Sequence, residues 1–338
     1  MCGGGRWGEE ASSLARLTIR TMKALVQDRY GHADALRIED VEMPVPDATS
    51  VLLKVRSASV NGLDWRILSG RPLFGRLIFG LTRPKRRIRG VDVAGEVVAV
   101  RKPDSRFKVG DAVFGLGSGS FAEYVAADES ELTVKPDSVS FDDAATLGVA
   151  AFTALQGIRL PGSIQPGQSV AVLGAGSGVG TFAVQIAKSM RARVTAVTST
   201  ENVDLLRSIG ADVVVDYRKE SFPARPDRHD LILDVSGLYS MGSLLGALKP
   251  DGKLVAVGAR GGFGRFLSAG LRRRILRQPT YSLIAHCTVA DLAELGQLVA
   301  GGKVKPVIDQ VYSLPDAAKA LAQAELHRAR GKLVIHVS

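Results

Sequence analysis

Short runs of β-branched and aliphatic residues, broken by turn residues, fill the chain before residue 140. The runs predicted to be strands are Met22–Val26, Val51–Val55, Val91–Val100, Ala112–Phe114 and Phe121–Ala126. Strands this short and closely spaced are typical of an all-β domain with few helices.

The pattern changes after residue 165. Ser169–Leu173 is a continuous apolar run, and the apolar positions that follow, from Val179 to Met190, recur on one face of a helix. Further strands are predicted at Arg193–Thr198, Val213–Asp216, Asp230–Asp234 and Lys253–Gly258, with a turn at Pro250-Asp251-Gly252 before the last. Strands that alternate with helices predict an α/β fold with a doubly wound parallel sheet.

The end of the chain becomes rich in strands again. From Asp291 the pattern predicts an amphipathic helix, a strand over Val304–Tyr312, a helix over Pro315–Leu326 and a last strand over Lys332–Val337. A β-rich end of this kind can rejoin the first domain, and the α/β unit would then be an insertion.

Composition excludes several classes of protein. The chain has 338 residues, 46% of them hydrophobic, and only two cysteines, which excludes a disulfide scaffold and a four-cysteine zinc lobe. Residues 1–21 lack the apolar core of a signal peptide and are predicted to be a disordered tail. We expect a cytoplasmic homodimer.

Positive charge is in surplus. Lysine and arginine number 44 against 34 acidic residues, a formal charge of +10, and they concentrate at Arg83–Arg89 and Arg265–Arg277. Either segment can be a solvated surface. The alternative is a nucleic-acid or membrane-surface binder that keeps a nucleotide fold with little turnover.

A glycine-rich loop joins the first apolar strand of the α/β unit to the helix after it. Its sequence is Gly174-Ala175-Gly176-Ser177-Gly178-Val179-Gly180. Glycines allow a tight turn and let backbone N–H groups approach a pyrophosphate at the positive end of the helix. A structural turn would also explain the glycines, but the strand before and the helix after favour dinucleotide binding.

The end of the next strand bears on the choice of nicotinamide. NAD-selective sites place an acid on the ribose 2′-hydroxyl about 20 residues after the loop. Here Thr198 and Ser199 end the strand, and no acid follows until Glu201. NADP is therefore favoured, and Tyr217 and Arg218 can flank its 2′-phosphate, although Arg218 can equally be a solvated charge.

With these features, the chain resembles the zinc-independent, quinone oxidoreductase-like branch of the medium-chain dehydrogenase/reductase superfamily from about Met22 to its end. Besides the glycine loop, the matching motifs are Val60-Asn61-Gly62-Leu63-Asp64-Trp65, Gly90-Val91-Asp92-Val93-Ala94-Gly95-Glu96-Val97, Gly119-Ser120-Phe121-Ala122-Glu123-Tyr124 and Arg330-Gly331-Lys332-Leu333-Val334. The resemblance implies a GroES-like catalytic domain over 22–143 and 284–338, with a Rossmann NADP-binding domain over 144–283.

The resemblance also assigns site residues. Zinc-dependent relatives place cysteine and histidine where this chain has Asn61 and Val91, so we expect no metal. The resemblance implies that Asn61 and Asp64 lie at the catalytic site, although Asn61 can instead be a turn residue and Asp64 can simply order the helix that begins there. Residues expected at the cofactor besides the glycine loop are Thr153, Ser236, Gly237, Val257, Gly258 and Lys332. Arg66 stands where quinone reductases of this branch often have tyrosine, which would admit an anionic or polar substrate.

A metal-free site narrows the chemistry. Simple ketones need a Lewis acid or a positioned proton donor for the developing alkoxide, whereas quinones and α,β-unsaturated carbonyls spread that charge over a conjugated system. We therefore expect an NADPH-dependent reductase of quinones or activated alkenes.

Overall fold

The N-terminal domain is built from antiparallel strands. The computed structural model describes residues 21–71, 73–257, 279–326 and 329–337. Its first strands are β1 (Thr21–Gln27), β2 (Leu36–Glu42), β3 (Ser50–Val60), β4 (Asp92–Val100), β5 (Ala112–Leu116), β6 (Tyr124–Asp128) and β7 (Leu132–Val134). Helices α1 (Gly62–Ser69) and α2 (Arg76–Phe79) lie between β3 and β4, and α3 (Phe141–Ala145) and α4 (Val149–Arg159) follow β7.

The second domain has the predicted parallel sheet. Its elements are β8 (Ser169–Leu173), α5 (Gly178–Ser189), β9 (Arg193–Thr198), α6 (Val203–Ser208), β10 (Val213–Asp216), β11 (His229–Asp234), α7 (Met241–Leu245), β12 (Leu248–Val257) and β13 (Thr280–Leu283). The sheet order is β10-β9-β8-β11-β12-β13, and every pair is parallel. This order is that of a Rossmann sheet, whose crevice opens between β8 and β11, where the winding reverses.

The last elements return to the first domain. They are α8 (Val289–Ala300), β14 (Ile308–Ser313), α9 (Ala317–Glu325) and β15 (Lys332–His336). The large sheet runs β14-β15-β3-β4-β5-β7, with β6 also paired to β3. β15 therefore lies beside β3, the strand that leads into Asn61.

Burial follows the sequence patterns that predicted the strands. Four of the five residues of β8 are buried, as expected for a central parallel strand covered on both faces. In β2, by contrast, only Leu36 is buried. The two domains have separate main cores, one around α4 and α5 and the other around β3 and α9.

Some sequence predictions need correction or lie outside the described residues. The strand predicted at Lys253–Gly258 begins earlier, at Leu248, and Pro250–Gly252, predicted as a turn, lie where the register of β12 against β11 shifts between Leu248 and Lys253. The predicted strand at Val304–Tyr312 is shorter, since β14 begins at Ile308. Residues 1–20, Gly258 and the segment 265–277 are not among the described residues. No helix in the described part of the chain is long and apolar enough to span a bilayer.

Candidate functional site

The glycine loop turns from β8 directly into α5. Gly174 has a φ of +79°, a conformation that favours glycine. Ser177 caps α5: its Oγ accepts a hydrogen bond from Gly180 N at 3.2 Å and donates one to Gly174 O at 2.7 Å. The cap fixes the loop at the N-terminus of the helix, where backbone N–H groups face an anion.

Three glycines of the loop leave no room for a side chain. A Cβ at Gly180 would lie 2.3 Å from Gly174 O, one at Gly178 would lie 2.9 Å from Lys332 Cδ, and one at Gly176 would lie 2.6 Å from Asn202 Nδ2. Ala175 is buried, and Val179 is half-buried on the first turn of α5. The loop is thus a close-packed backbone cradle of the kind that holds a pyrophosphate.

Polar side chains line the end of β9 beside the loop. Thr198 is buried, and its Oγ1 would lie 3.0 Å from a Cβ at Gly176. Asn202 Nδ2 donates to Ser199 Oγ at 3.3 Å, while Asn202 Oδ1 is buried with no hydrogen-bond partner among the described residues. An unsatisfied amide oxygen beside a phosphate cradle suits a hydroxyl-bearing ligand such as a ribose.

The neighbouring strand β10 brings an acidic residue, Asp216, to the end of β9, where the sequence predicts no acid before Glu201. Asp216, the last residue of β10, accepts a hydrogen bond from Thr200 Oγ1 at 2.6 Å, because neighbouring parallel strands end at the same edge. That bond is the main cause of the lowered pKa of the Asp216 carboxyl. Glu201 forms an ion pair with Arg218, whose side chain is about half exposed. Tyr217 N donates to Thr198 O at 2.9 Å, which holds Tyr217 and Arg218 at this end of the sheet.

The ends of β11 and β12 face the same crevice. Asp234 Oδ1 accepts from the backbone N–H groups of Ser236 and Gly237 at 3.1 and 2.9 Å and so fixes the turn after β11. A Cβ at Gly174 would lie 3.2 Å from Ser236 N, so this turn is beside the glycine loop. Val257 ends β12 and is half-buried.

Gly331 and Lys332 connect the glycine loop to Asn61. Gly331 N donates to Gly176 O at 2.9 Å. The stem of Lys332 passes Gly178, and its Nζ donates to Asn61 Oδ1 at 2.6 Å and to Val60 O at 3.0 Å. The sequence predicts Lys332 at the cofactor; in the structure its stem lies along the loop, while its ammonium contacts Asn61.

Asp92 is the acidic partner of Lys332 and was not predicted to be a site residue. Its Oδ2 lies 3.3 Å from Lys332 Nζ and accepts from Ser59 Oγ at 2.7 Å, and its Oδ1 accepts from Val149 N at 2.9 Å. Both charged side chains are at most 2% exposed. The bond to Val149 N also holds the start of α4, whose next turn carries the buried Thr153.

The ammonium of Lys332 determines how the Asn61 amide is oriented. An ammonium can only donate hydrogen bonds, so the atom of Asn61 that faces it must be Oδ1. Nδ2 therefore points away from Lys332 and donates a long hydrogen bond of 3.5 Å to Ser59 O. Asn61 therefore presents amide N–H donors on the side away from Lys332.

Asp64 and Arg66 differ in their relation to Asn61. Asp64 Oδ2 accepts from Asn61 N at 2.7 Å, which fixes the start of α1. Arg66 lies on the same helix and is half-buried. The hydrogen bond from Asn61 N thus connects Asp64 to the backbone of Asn61 rather than to the crevice.

Burial perturbs the ionisable groups around Asn61. Desolvation raises the pKa of the Asp64 carboxyl to about 7, against the opposing effects of the Asn61 N–H and of nearby Lys332. Desolvation lowers the pKa of the Lys332 ammonium, which the Asp92 carboxylate partly offsets. Desolvation also raises the pKa of the Cys287 thiol to about 12, so this cysteine is not a ready nucleophile.

No group of three or more His, Cys, Asp or Glu side chains among the described residues is arranged to hold a metal ion. At the two positions where zinc-dependent relatives carry ligands, Asn61 offers only an amide to Lys332, and Val91 offers no donor atom.

Comparisons with known proteins agree with this geometry. The family models that match are the alcohol dehydrogenase GroES-like domain over residues 47–137 and the zinc-binding dehydrogenase domain over residues 209–335. The chain is 33% identical to the 2-methylene-furan-3-one reductase of Solanum lycopersicum, over 93% of this chain and 79% of that protein. It is 32% identical to the NADPH-dependent alkenal/one oxidoreductase of Arabidopsis thaliana, over 94% of this chain and 80% of that protein.

A solved structure extends the agreement to the whole fold. The quinone oxidoreductase from Coxiella burnetii superposes with a TM-score of 0.84 at 27% identity, over 94% of this chain and 100% of that one. Together with the Rossmann crevice and the returning β15, these matches show an oxidoreductase that uses a nicotinamide cofactor. The chain belongs to the medium-chain dehydrogenase/reductase superfamily, in its quinone oxidoreductase-like branch.

Proposed function

We propose that the protein reduces quinones or α,β-unsaturated carbonyl compounds with NADPH and without a metal. The observation that carries the proposal is the Lys332–Asn61 contact, which connects an amide donor to the dinucleotide loop through the adjacent residues Gly331 and Lys332. The alkenal/one and quinone oxidoreductases among its relatives support this acceptor class.

The glycine loop and the end of β9 fit a dinucleotide. Its pyrophosphate would lie against the backbone from Ala175 to Gly178, and its adenosine ribose against Ser199 and Asn202. The unsatisfied Asn202 Oδ1 and the side-chain-free backbone at Gly176 support this fit. A bound reduced nicotinamide would supply the hydride.

The preference for NADPH is supported by the cations beyond β10. Arg218 and Lys219 line an open hollow of about 400 Å³ beside Tyr217, together with Glu220, whose carboxylate is paired with Arg225. Asp216 accepts from Thr200 Oγ1 and Arg218 N, and Glu201 is paired with Arg218, so both acids at this end of the sheet already have partners within the protein. Arg218 would exchange Glu201 for a 2′-phosphate, which is a stronger bidentate partner.

Asn61 would act on the acceptor. Its Nδ2 would donate a hydrogen bond to the substrate carbonyl oxygen, where negative charge develops as a hydride reaches the conjugated carbon. Lys332 and Asp64 would hold the amide and its backbone in place, so both are positioning residues in this account. The positive charge of Lys332, 2.6 Å from Asn61 Oδ1, would further polarise the amide.

The donor set argues against zinc at this position. Zinc sites in proteins use thiolate, imidazole or carboxylate ligands, and the Asn61 amide oxygen already faces an ammonium. A divalent cation there would be repelled by Lys332. We further propose a cytoplasmic homodimer, for which light scattering should give about twice the chain mass of 35.8 kDa.

The proposal is tested by following NADPH absorbance with a panel of quinones, enones, aldehydes and simple ketones, and by repeating the panel with NADH. We expect turnover with quinones or enones, none with simple ketones, and a higher kcat/KM with NADPH than with NADH. Equal or better use of NADH would refute the cofactor preference, and turnover of simple ketones alone would refute the acceptor class.

A further inference from the structure

A segment without acidic residues lies between Asp64 and Asp92. Residues 65–91 contain eight basic side chains and no aspartate or glutamate. At least three of the eight have partners or are buried within the fold: Arg87 forms ion pairs with Asp28 and Glu39, Arg76 donates to Gly70 O, and Arg89 is 5% exposed. Arg83, Lys85 and Arg86 are exposed, and none of them forms an ion pair with a carboxylate in the described part of the chain.

The same segment exposes large apolar side chains. Leu73, Leu77, Ile78 and Leu81 are each between 67% and 71% exposed. Single exposed leucines are common, but four within nine residues form a patch of the kind that marks an interaction site. Together with Arg83, Lys85 and Arg86 they form what we call the 73–86 surface.

The fold holds the backbone of this segment in place. Tyr30 donates its hydroxyl to Gly80 O at 2.5 Å, and the Arg76 guanidinium lies 4.4 Å from the centre of the Tyr30 ring. Lys85 N donates to Phe79 O at 2.7 Å. The apolar side chains are therefore presented outward by a tethered backbone.

We propose that the 73–86 surface docks the protein onto an anionic lipid bilayer. Aliphatic side chains gain by entering the boundary between headgroups and acyl chains, and neighbouring lysines and arginines are attracted to anionic headgroups. Docking of a second copy of this chain through the same surface is disfavoured, because it would place the cations of the two copies against each other. The phosphates of a nucleic acid could pair with the cations, but the exposed leucines and isoleucine offer no ring on which a base can stack, so a bilayer is the better partner.

The position of the 73–86 surface relates docking to the reaction. It follows α1, whose eight residues, beginning next to Asn61, span about 12 Å. Quinones and long enones dissolve in bilayers, so docking would bring the Asn61 site close to a membrane store of acceptor. This last point rests on the proposed function, whereas docking itself does not.

The test is co-sedimentation of the full chain with vesicles, without substrate. We expect binding to mixed phosphatidylglycerol and phosphatidylcholine vesicles, loss of binding at high salt, and little binding to pure phosphatidylcholine. The charge variant Arg83→Gln/Lys85→Gln/Arg86→Gln and the apolar variant Leu77→Ser/Ile78→Ser should each weaken binding at least about tenfold.

A matched control comes from another exposed apolar residue beside lysines. Val109 is 64% exposed near Lys102 and Lys108, but Asp104 and Asp111 are close in sequence. Val109→Ser with Lys102→Gln/Lys108→Gln should bind vesicles as the parent does. Unchanged unfolding midpoints and NADPH affinity would show that all variants are folded.

Several outcomes would overturn the docking proposal. These are no binding to anionic vesicles, equal loss in the control, retention on RNA that competes with vesicles, or a change of oligomeric state in the 73–86 variants. Vesicle binding without any NADPH oxidation would instead overturn the proposed function and leave docking intact. Turnover of a water-soluble quinone should be the same in the parent and the surface variants.

Discussion

Lys332 is the residue at which the two ends of the candidate site meet. Its stem packs on Gly178, and its ammonium is bonded to Asn61 and paired with Asp92. The sequence indicated Lys332 and Asn61 but not their contact, because they are 271 positions apart. The role of Asp92 was not predicted for the same reason. Its position inside the apolar run Val91–Val100 nevertheless indicated that its carboxylate is buried.

Lys332→Met should lower kcat about tenfold or more, because Asn61 would lose the donor that orients its amide. It should also destabilise the fold by about 3–5 kcal/mol, since Asp92 would be left buried and unpaired. Steady-state kinetics and urea unfolding measure the two effects.

A second variant separates positioning from stability. Lys332→Met/Asp92→Asn removes the uncompensated charge, so stability should largely return while kcat stays low. Recovery of kcat together with stability would show that Lys332 acts only on the fold. Lys332→Arg keeps the charge and should retain more activity than Lys332→Met.

Asp64 predicts a pH dependence of stability. Its pKa rises from an ordinary 3.8 to about 7 in the folded state, because burial disfavours the carboxylate. The folded protein therefore holds this proton more tightly than the unfolded chain. The stability from Asp64 is fully present below about pH 4 and is lost as pH rises towards 7.

Asp64→Asn should remove this loss, since an amide keeps an acceptor for Asn61 N but does not ionise. The difference in unfolding free energy between variant and parent should shift in favour of the variant by about 2–4 kcal/mol between pH 5 and pH 8. Urea unfolding across this range measures it, and parallel curves for the two proteins would contradict the raised pKa.

At the level of elements, the strands of the Rossmann sheet were the most predictable. The predicted bounds of β8, β9 and β10 agree with the structure, because each strand is a short run rich in valine and other β-branched or apolar residues. β3 was predicted only over Val51–Val55 and continues to Val60, because Ser57 and Ser59 interrupt the pattern although both are buried. Local hydropathy cannot reveal that a polar side chain is buried by a distant partner such as Asp92.

The glycine loop gives a prediction about an element as a whole. Gly180→Ala would place a Cβ 2.3 Å from Gly174 O, so the backbone of the loop must shift. We expect a loss of about 1–3 kcal/mol in stability and weaker NADPH binding, measured by unfolding and by fluorescence titration.

Gly242→Ala is the matched control for this loop variant. It lies in the first turn of α7, where an added Cβ meets nothing within 4 Å. Stability should stay the same or rise by up to about 1 kcal/mol, with unchanged NADPH affinity. Equal effects of the two substitutions would contradict a close-packed cradle.

At the scale of the molecule, both ends of the chain build one sheet around the inserted Rossmann domain. The sequence indicated that the last strands could rejoin the first domain, and β15 lies beside β3 in the structure. The local hydropathy pattern could not predict which strand β15 pairs with, because β3 and β15 lie near opposite ends of the chain. That pairing brings Lys332 to Asn61, so the site forms only when residues from the two ends of the chain come together in one sheet.

We propose metal-free hydride transfer from NADPH to a conjugated carbon of the acceptor as the reaction. The direct measurement is reduction of an enone by chelator-treated protein with NADPH deuterated at the transferable C4 position, read by NMR of the product. We expect a saturated ketone with deuterium at the β-carbon and no effect of added zinc. Deuterium on a carbinol carbon, or activity that returns only with zinc, would contradict it.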